Sequence, residues 1–170
     1  MRKTIILLSG LAMLALVNWT ILQREQLIAT GRVVRLELAP VDPRSLMQGD
    51  YMALRLQIDR DTLRTATASK RELADGRLVV KPDAQGIARY VRHDAGEPLG
   101  ADETLLRYRV REGRVKFATN AWFFQEGHAQ IYEGARYGEF RVAPSGEMLL
   151  VAMLGKNLEK LGVSGVQGSW

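Results

Sequence analysis

Apolar positions follow two regimes along the chain. Residues 4–22, TIILLSGLAMLALVNWTIL, hold no charge, and as a helix they would reach about 28 Å, close to the hydrocarbon thickness of a bilayer. The pattern predicts a helix continuing to about Ile28, where Thr30 and Gly31 stop it. From Val33 the period changes to two. VVRLELA (33–39) alternates apolar with charged residues, as a strand with one buried face does, and Pro40 and Pro43 interrupt the ladder. Further strands are predicted at 51–59, 77–81, 87–92, 104–111 and 114–118, the last two joined by Glu112 and Gly113 in a tight hairpin. Residues 137–154 read as two strands about the turn Pro144-Ser145-Gly146-Glu147. Helical patterns are placed at 61–73 and at about 126–135. The predicted class is α+β and β-rich: a single N-terminal transmembrane helix, then one compact, mainly antiparallel β domain with one or two short helices. The expected division is an anchor over 1–28 (transmembrane about 4–22), an exported domain over 31–155, and a flexible tail rich in Gly and Ser over 156–170.

A cleaved signal peptide ends in a short apolar run with small residues before the cut, whereas the exit here reads ALVNWTILQRE. That favours an uncleaved signal anchor. Trp19 stands where an indole prefers the interface, and Arg24 with Glu25 closes the apolar run. Arg2 and Lys3 precede the segment, so the positive-inside tendency keeps the N-terminus in the cytoplasm and exports the rest. The expected location is the bacterial inner (cytoplasmic) membrane, single-pass, with the C-terminal domain periplasmic. The chain contains no cysteine, so an oxidising compartment is tolerated and stability comes from packing. Setting aside Arg2 and Lys3 lowers the net charge from +5 to +3, too mild an excess to argue for nucleic acid. Arginines interleaved with acids, as in RYRVREGRVK (107–116), read as a solvated sheet face.

Gly49, Asp50 and Tyr51 have a complete physical account without chemistry. The Asp carboxylate accepts nearby backbone N–H groups, Gly permits positive φ, and Tyr begins a strand. Extended to Leu56, the stretch GDYMALRL (49–56) resembles the signature of the GDYXXLXY family, small bacterial proteins with an N-terminal hydrophobic segment and an exported domain. Gly49, Asp50, Tyr51 and Leu54 match the motif, and Leu56 stands in place of its final Tyr, which is expected to preserve packing on the face of Leu54. PVDPRSLMQ (40–48) and WFFQEGHAQIYEGARYGEFRV (122–142) are similar to further family blocks, so the resemblance covers most of the chain after about residue 30. It implies no assigned activity, and it implies association with multi-pass membrane proteins.

Three chemical readings compete with plain packing. A membrane-anchored hydrolase of the signal-peptidase type needs a Ser/Lys pair. The place for its nucleophile, about eight residues before Gly49, holds Val41 beside Pro40, Ser45 is too close, and Lys70 and Lys81 carry no motif. A zinc site needs three donors, and the two histidines, His93 and His128, share no ligand spacing with the acids, so no metal and no cofactor are expected. The aromatic run Trp122-Phe123-Phe124 could form an exposed docking surface or a membrane-lapping patch, but the expected default is that one ring set fills the core while Phe123 faces the other way. The residues point away from an enzyme and toward a structural or partner-binding role, with another membrane protein as partner and without nucleic acid or small-molecule ligand. The motif residues Gly49, Asp50, Tyr51, Leu54 and Leu56 are expected to be structural. Phe124, Glu126, Gly127, Glu133 and Arg136 form a candidate binding surface, with Glu133 and Arg136 spaced to pair on a helix.

Overall fold

A computed structural model describes residues 2–39, 47–48, 51–68, 74–119 and 121–162 of the chain. Helix α1 (Arg2–Thr30) carries the long apolar run, and its Thr4–Thr30 segment is long and apolar enough to cross a membrane. Its side chains from Ile5 to Leu22 are exposed, since nothing in the rest of the described fold covers them. The helix continues past Arg24 into the domain: Leu27 is buried, Gly31 N–H donates to Leu27 O at 2.9 Å, and Arg141 Nη1 donates to Gly31 O at 3.1 Å. A Cβ at Gly31 would collide with the Leu27 carbonyl, so the tight exit requires glycine there.

The domain is built from antiparallel sheets. β1 (Arg32–Glu37), β9 (Tyr137–Val142) and β10 (Met148–Leu154) form one, with β9 central. β5 (Ala88–His93), β4 (Gly76–Pro82), β6 (Thr104–Arg111) and β7 (Arg114–Lys116) form a second, in that order. A third and smaller sheet contains β2 (Met47–Gln48), β3 (Tyr51–Ala53) and β8 (Ala121–Phe123). Two helices complete the described part, α2 (Gln57–Ala68) and the single turn α3 (Ala129–Tyr132). The α+β, β-rich class holds.

Alternation explains how the first two sheets meet. Val34 and Leu36 of β1, Phe140 and Val142 of β9, and Met148 of β10 face Leu78 and Val80 of β4 and Leu106 and Tyr108 of β6. Leu56 and Ile58 at the start of α2 close the same core. Fully burying each Leu, Val or Phe side chain contributes about 1.5–3 kcal/mol, so this cluster dominates the stability of the domain. The β6–β7 hairpin turns on Glu112 (φ 54°) and Gly113 (φ 69°), the doubly positive backbone of a two-residue link.

Several element boundaries differ from the periodicity. The predicted strand over 51–59 stops at Ala53, and a helix starts at Gln57. Asp59 decides this switch. Its Oδ2 accepts the Leu56 N–H at 3.1 Å, the half of a capping box that secures a helix start, so LRLQID bends into α2 although its apolar residues alternate. The predicted helix over 61–73 is thus displaced toward the N-terminus, and residues 69–73 lie outside those described. The helix expected over 126–135 is reduced to α3, because Gly127 adopts φ +81° before it. At the C-terminus, residues 156–162 fold back along β10: Leu161 N–H donates to Met153 O at 2.8 Å, and Lys160 Nζ lies 3.2 Å from the buried Glu139 carboxylate, which also faces Arg35 across the β1–β9 register. The part of the expected tail within the described residues is therefore tied down, and 163–170 lie outside them.

Candidate functional site

The small sheet brings the two sequence blocks together. β3 carries Tyr51, Met52 and Ala53 of the octapeptide, β8 carries the start of the aromatic run, and the two pair antiparallel with Tyr51 opposite Phe123 and Met52 opposite Trp122. About seventy residues of chain separate the partners, so the register is a tertiary fact that neither block specifies locally. Gly49, Asp50 and Ser45 lie outside the described residues.

One face of this sheet is apolar and covered. Met52 is buried with Tyr132, Ala135 and Met153, and Leu54, Trp122, Phe124 and Leu161 pack against them. Tyr132 of α3 is the hub. Its ring meets Trp122 edge-on at a centroid distance of 6.0 Å and stacks on Phe124 at 5.3 Å, geometries in which ring quadrupoles attract. A Cβ at Gly162, which has φ +77°, would collide with the Tyr132 hydroxyl, so the folded-back segment closes over the hub only with glycine there. The Trp122 Nε1–H is buried and finds no hydrogen-bond partner among the described residues.

The opposite face is open. Phe123 is 73% exposed, and Tyr51 rests against it at a centroid distance of 5.9 Å with planes tilted by 42°. Glu126, Gly127, His128 and Glu133 lie exposed on the segment that leads into and out of α3. The four-residue helix ends at Tyr132, so Glu133 and Arg136 do not share a helical face, and Arg136 Nη1 instead donates to Ala135 O at 3.0 Å. Leu54 and Leu56 part company for the same reason that β3 is short: Leu54 joins the Tyr132 cluster, whereas Leu56 enters the large core. The expectation that both share one strand face is corrected accordingly. Packing at position 56 is kept, in a different cluster.

The family model for the GDYXXLXY protein matches residues 13–153, most of the chain. The chain belongs to the GDYXXLXY family. The match begins inside α1 and ends in β10, so it takes in the later part of the apolar helix, all three sheets and both motif blocks. Comparison with curated proteins and with solved structures finds no match to this chain.

Next to the motif, Asp59 is a carboxyl that sequence reasoning missed, because periodicity puts it in a strand. Burial pushes its pKa up to about 6, against the Leu56 N–H, which pulls it down. Its Oδ1 is buried without a hydrogen-bond partner among the described residues. The positive end of α2 also favours the ionised form. Desolvation wins because a carboxylate with one bonded oxygen recovers too little of its hydration.

Proposed function

We propose that this member of the GDYXXLXY family is a single-pass envelope protein in the bacterial inner membrane, with its N-terminus cytoplasmic. The folded part, residues 31–155, stands in the periplasm as a structural or partner-binding module. The partner is another membrane protein, of the multi-pass type. An uncleaved anchor is supported by the continuity of α1, since a cut after Leu27 would remove both that buried residue and the Arg24–Glu147 ion pair (2.9 Å) that join the helix to the domain. The direct passage from Thr30 into β1 keeps the domain against the bilayer and raises its encounter concentration with partners in the same membrane.

The observation that carries the reading is Phe123. An aromatic ring left 73% exposed, on a sheet formed by both motif blocks and backed by Tyr51, is what a docking surface supplies and a closed scaffold does not need. Glu126 and Gly127 lie exposed just beyond it in the chain, as do Glu133 and Arg136 after α3, and Phe124 stacks on Tyr132 on the covered face behind it. The test is photocrosslinking in intact membranes from position 123, with Glu112 at the β6–β7 turn as control. A discrete adduct with one multi-pass protein from position 123, absent from position 112, is expected. Equal labelling from both positions would sink the proposal.

A further inference from the structure

The end of α1, the β9–β10 turn and the β6–β7 hairpin enclose a hollow of about 220 Å³, lined by Arg24, Arg107, Arg109, Lys116, Phe117 and Glu147 among others. We infer that this hollow holds the phosphate-bearing headgroup of an anionic glycerophospholipid from the membrane that α1 enters. The inference rests on the anchor reading proposed above.

Charge is the first argument. Four cations face one carboxylate, and Glu147 is already engaged with Arg24 at 2.9 Å. Among the described residues, Arg107, Arg109 and Lys116 form no salt bridge; a further acid nearby is Asp75, whose carboxyl is held low by the Val110 N–H, with Arg111 and Arg109 alongside. Two of their neighbours on the same sheet face are treated differently. Arg77, opposite Arg107, pairs with Asp94 at 2.9 Å, and Arg111, two residues beyond Arg109, pairs with Asp75 at 3.1 Å. Among the residues lining the hollow, Glu147 is the one acid, and Asp75 beyond it acts on Arg109 without forming an ion pair with it. Arg109 also stands directly opposite Lys116 in the β6–β7 register, an arrangement that is destabilising unless an anion sits between them.

Position is the second argument. Arg24 follows the uncharged run by two residues, about 3 Å along the helix, and the headgroup layer adds roughly 5–8 Å beyond the hydrocarbon on each side. The hollow therefore opens at the depth of lipid phosphates. Its walls are fixed, since Arg107 N–H donates to Gly146 O at 2.8 Å and pins the turn on the β6 edge. A second hollow of about 450 Å³ runs beside α1 past Thr20, Gln23 and Leu27 and shares Arg24 and Glu147 with the first, giving the acyl-bearing end of such a molecule a way toward the apolar helix.

The test uses the full chain in neutral detergent, titrated with phosphatidylglycerol or phosphatidylcholine and read by native mass spectrometry. In parallel, vesicles of phosphatidylcholine, with and without phosphatidylglycerol, are extracted with alkaline carbonate. The expected result is at least a tenfold preference for phosphatidylglycerol, lost in R107Q/R109Q/K116Q, since each basic residue near an anionic surface is worth about fivefold. Lys116→Gln alone should lose about fivefold, which keeps the test alive if the triple variant does not fold. Glu147→Gln should strengthen retention. Equal retention of both lipids, or an unchanged preference in a folded triple variant, overturns the headgroup site while resistance to carbonate leaves the anchor standing. Release by carbonate from both vesicle types overturns the anchor and the site together. Displacement of the lipid by millimolar inorganic phosphate would make the free ion the occupant and overturn the proposal.

Discussion

Phe140 and Phe123 both lie on short antiparallel strands, yet Phe140 is 1% exposed and Phe123 73%. Phe140 points between two sheets that cover each other, and every strand there brings an inward row to the same core. Phe123 sits on a sheet that packs on one face only, against Tyr132 and β10. The same alternation thus yields a closed core in one region and a half-open platform in the other, depending on whether a second layer exists. Tyr51 to Leu54 of the octapeptide and the start of the aromatic block belong to the half-open region, whereas Leu56 enters the closed core, so the motif straddles the two.

The largest effect should come from breaking the closed side. Phe140→Ala removes a fully buried ring from between the sheets and should cost about 3–5 kcal/mol, enough to lower the melting temperature by around 10 °C or to prevent folding. Phe124→Ala, on the platform, removes a ring that is only partly buried and should cost clearly less. Thermal melts of the two variants side by side decide whether the clusters differ as described. Equal losses would mean that the platform is a second closed core.

Next in size is Gly162→Val. The new side chain must displace the Tyr132 hydroxyl and adopt positive φ, so about 2 kcal/mol should be lost through the platform alone. Near-ultraviolet circular dichroism would report loosened aromatic packing while far-ultraviolet signal stays. A variant as stable as the parent, with unchanged aromatic signal, would show that the fold-back does not brace the hub.

Strands of the closed region were legible where alternation or turn chemistry fixes them locally. β6 over Thr104–Arg111, the Glu112-Gly113 turn and the β9–β10 hairpin at Pro144 to Glu147 follow from alternation and turn chemistry alone. The platform was less legible. MALRLQID has a period of two, but the Asp59 carboxylate turns it into a helix start, a contact three residues apart that periodicity does not weigh. The pairing of Tyr51 with Phe123 was invisible for another reason: strands of three residues carry too few alternations to announce a partner far along the chain. The cationic hollow was hidden too, because RYRVREGRVK has the pattern of a solvated face, and only the fold shows which arginines there meet acids.

Asp59 joins the two regions, since Leu56, which it caps, belongs to the closed core and Leu54 to the platform. Its folded pKa of about 6 lies above the ordinary value of 3.8, so the folded state binds more protons between these limits. Stability from this group is present at pH 4 and is lost as pH rises through about 6, on the order of 1–3 kcal/mol. Asp59→Asn keeps an acceptor for the Leu56 N–H and removes the charge, so it should flatten the melting temperature between pH 4 and 7 and raise it at pH 7.5. A variant less stable than the parent at pH 7.5 would show that the ionised carboxylate caps α2 more than burial penalises it.

The smallest effect on stability sharpens the comparison most. Phe123→Ala deletes an exposed ring and should change stability by less than about 0.5 kcal/mol, because its removal opens no cavity and its contact with Tyr51 lies in solvent. If the ring exists to be covered by a partner, the same substitution should abolish the membrane crosslink from neighbouring position 126, while Phe140→Ala should reduce it only as far as the folded fraction falls. Stability and association would then separate cleanly between two strands of one domain. A Phe123→Ala variant that melts several degrees lower would place the ring in the fold's own packing and remove the reason for treating this face as a docking surface.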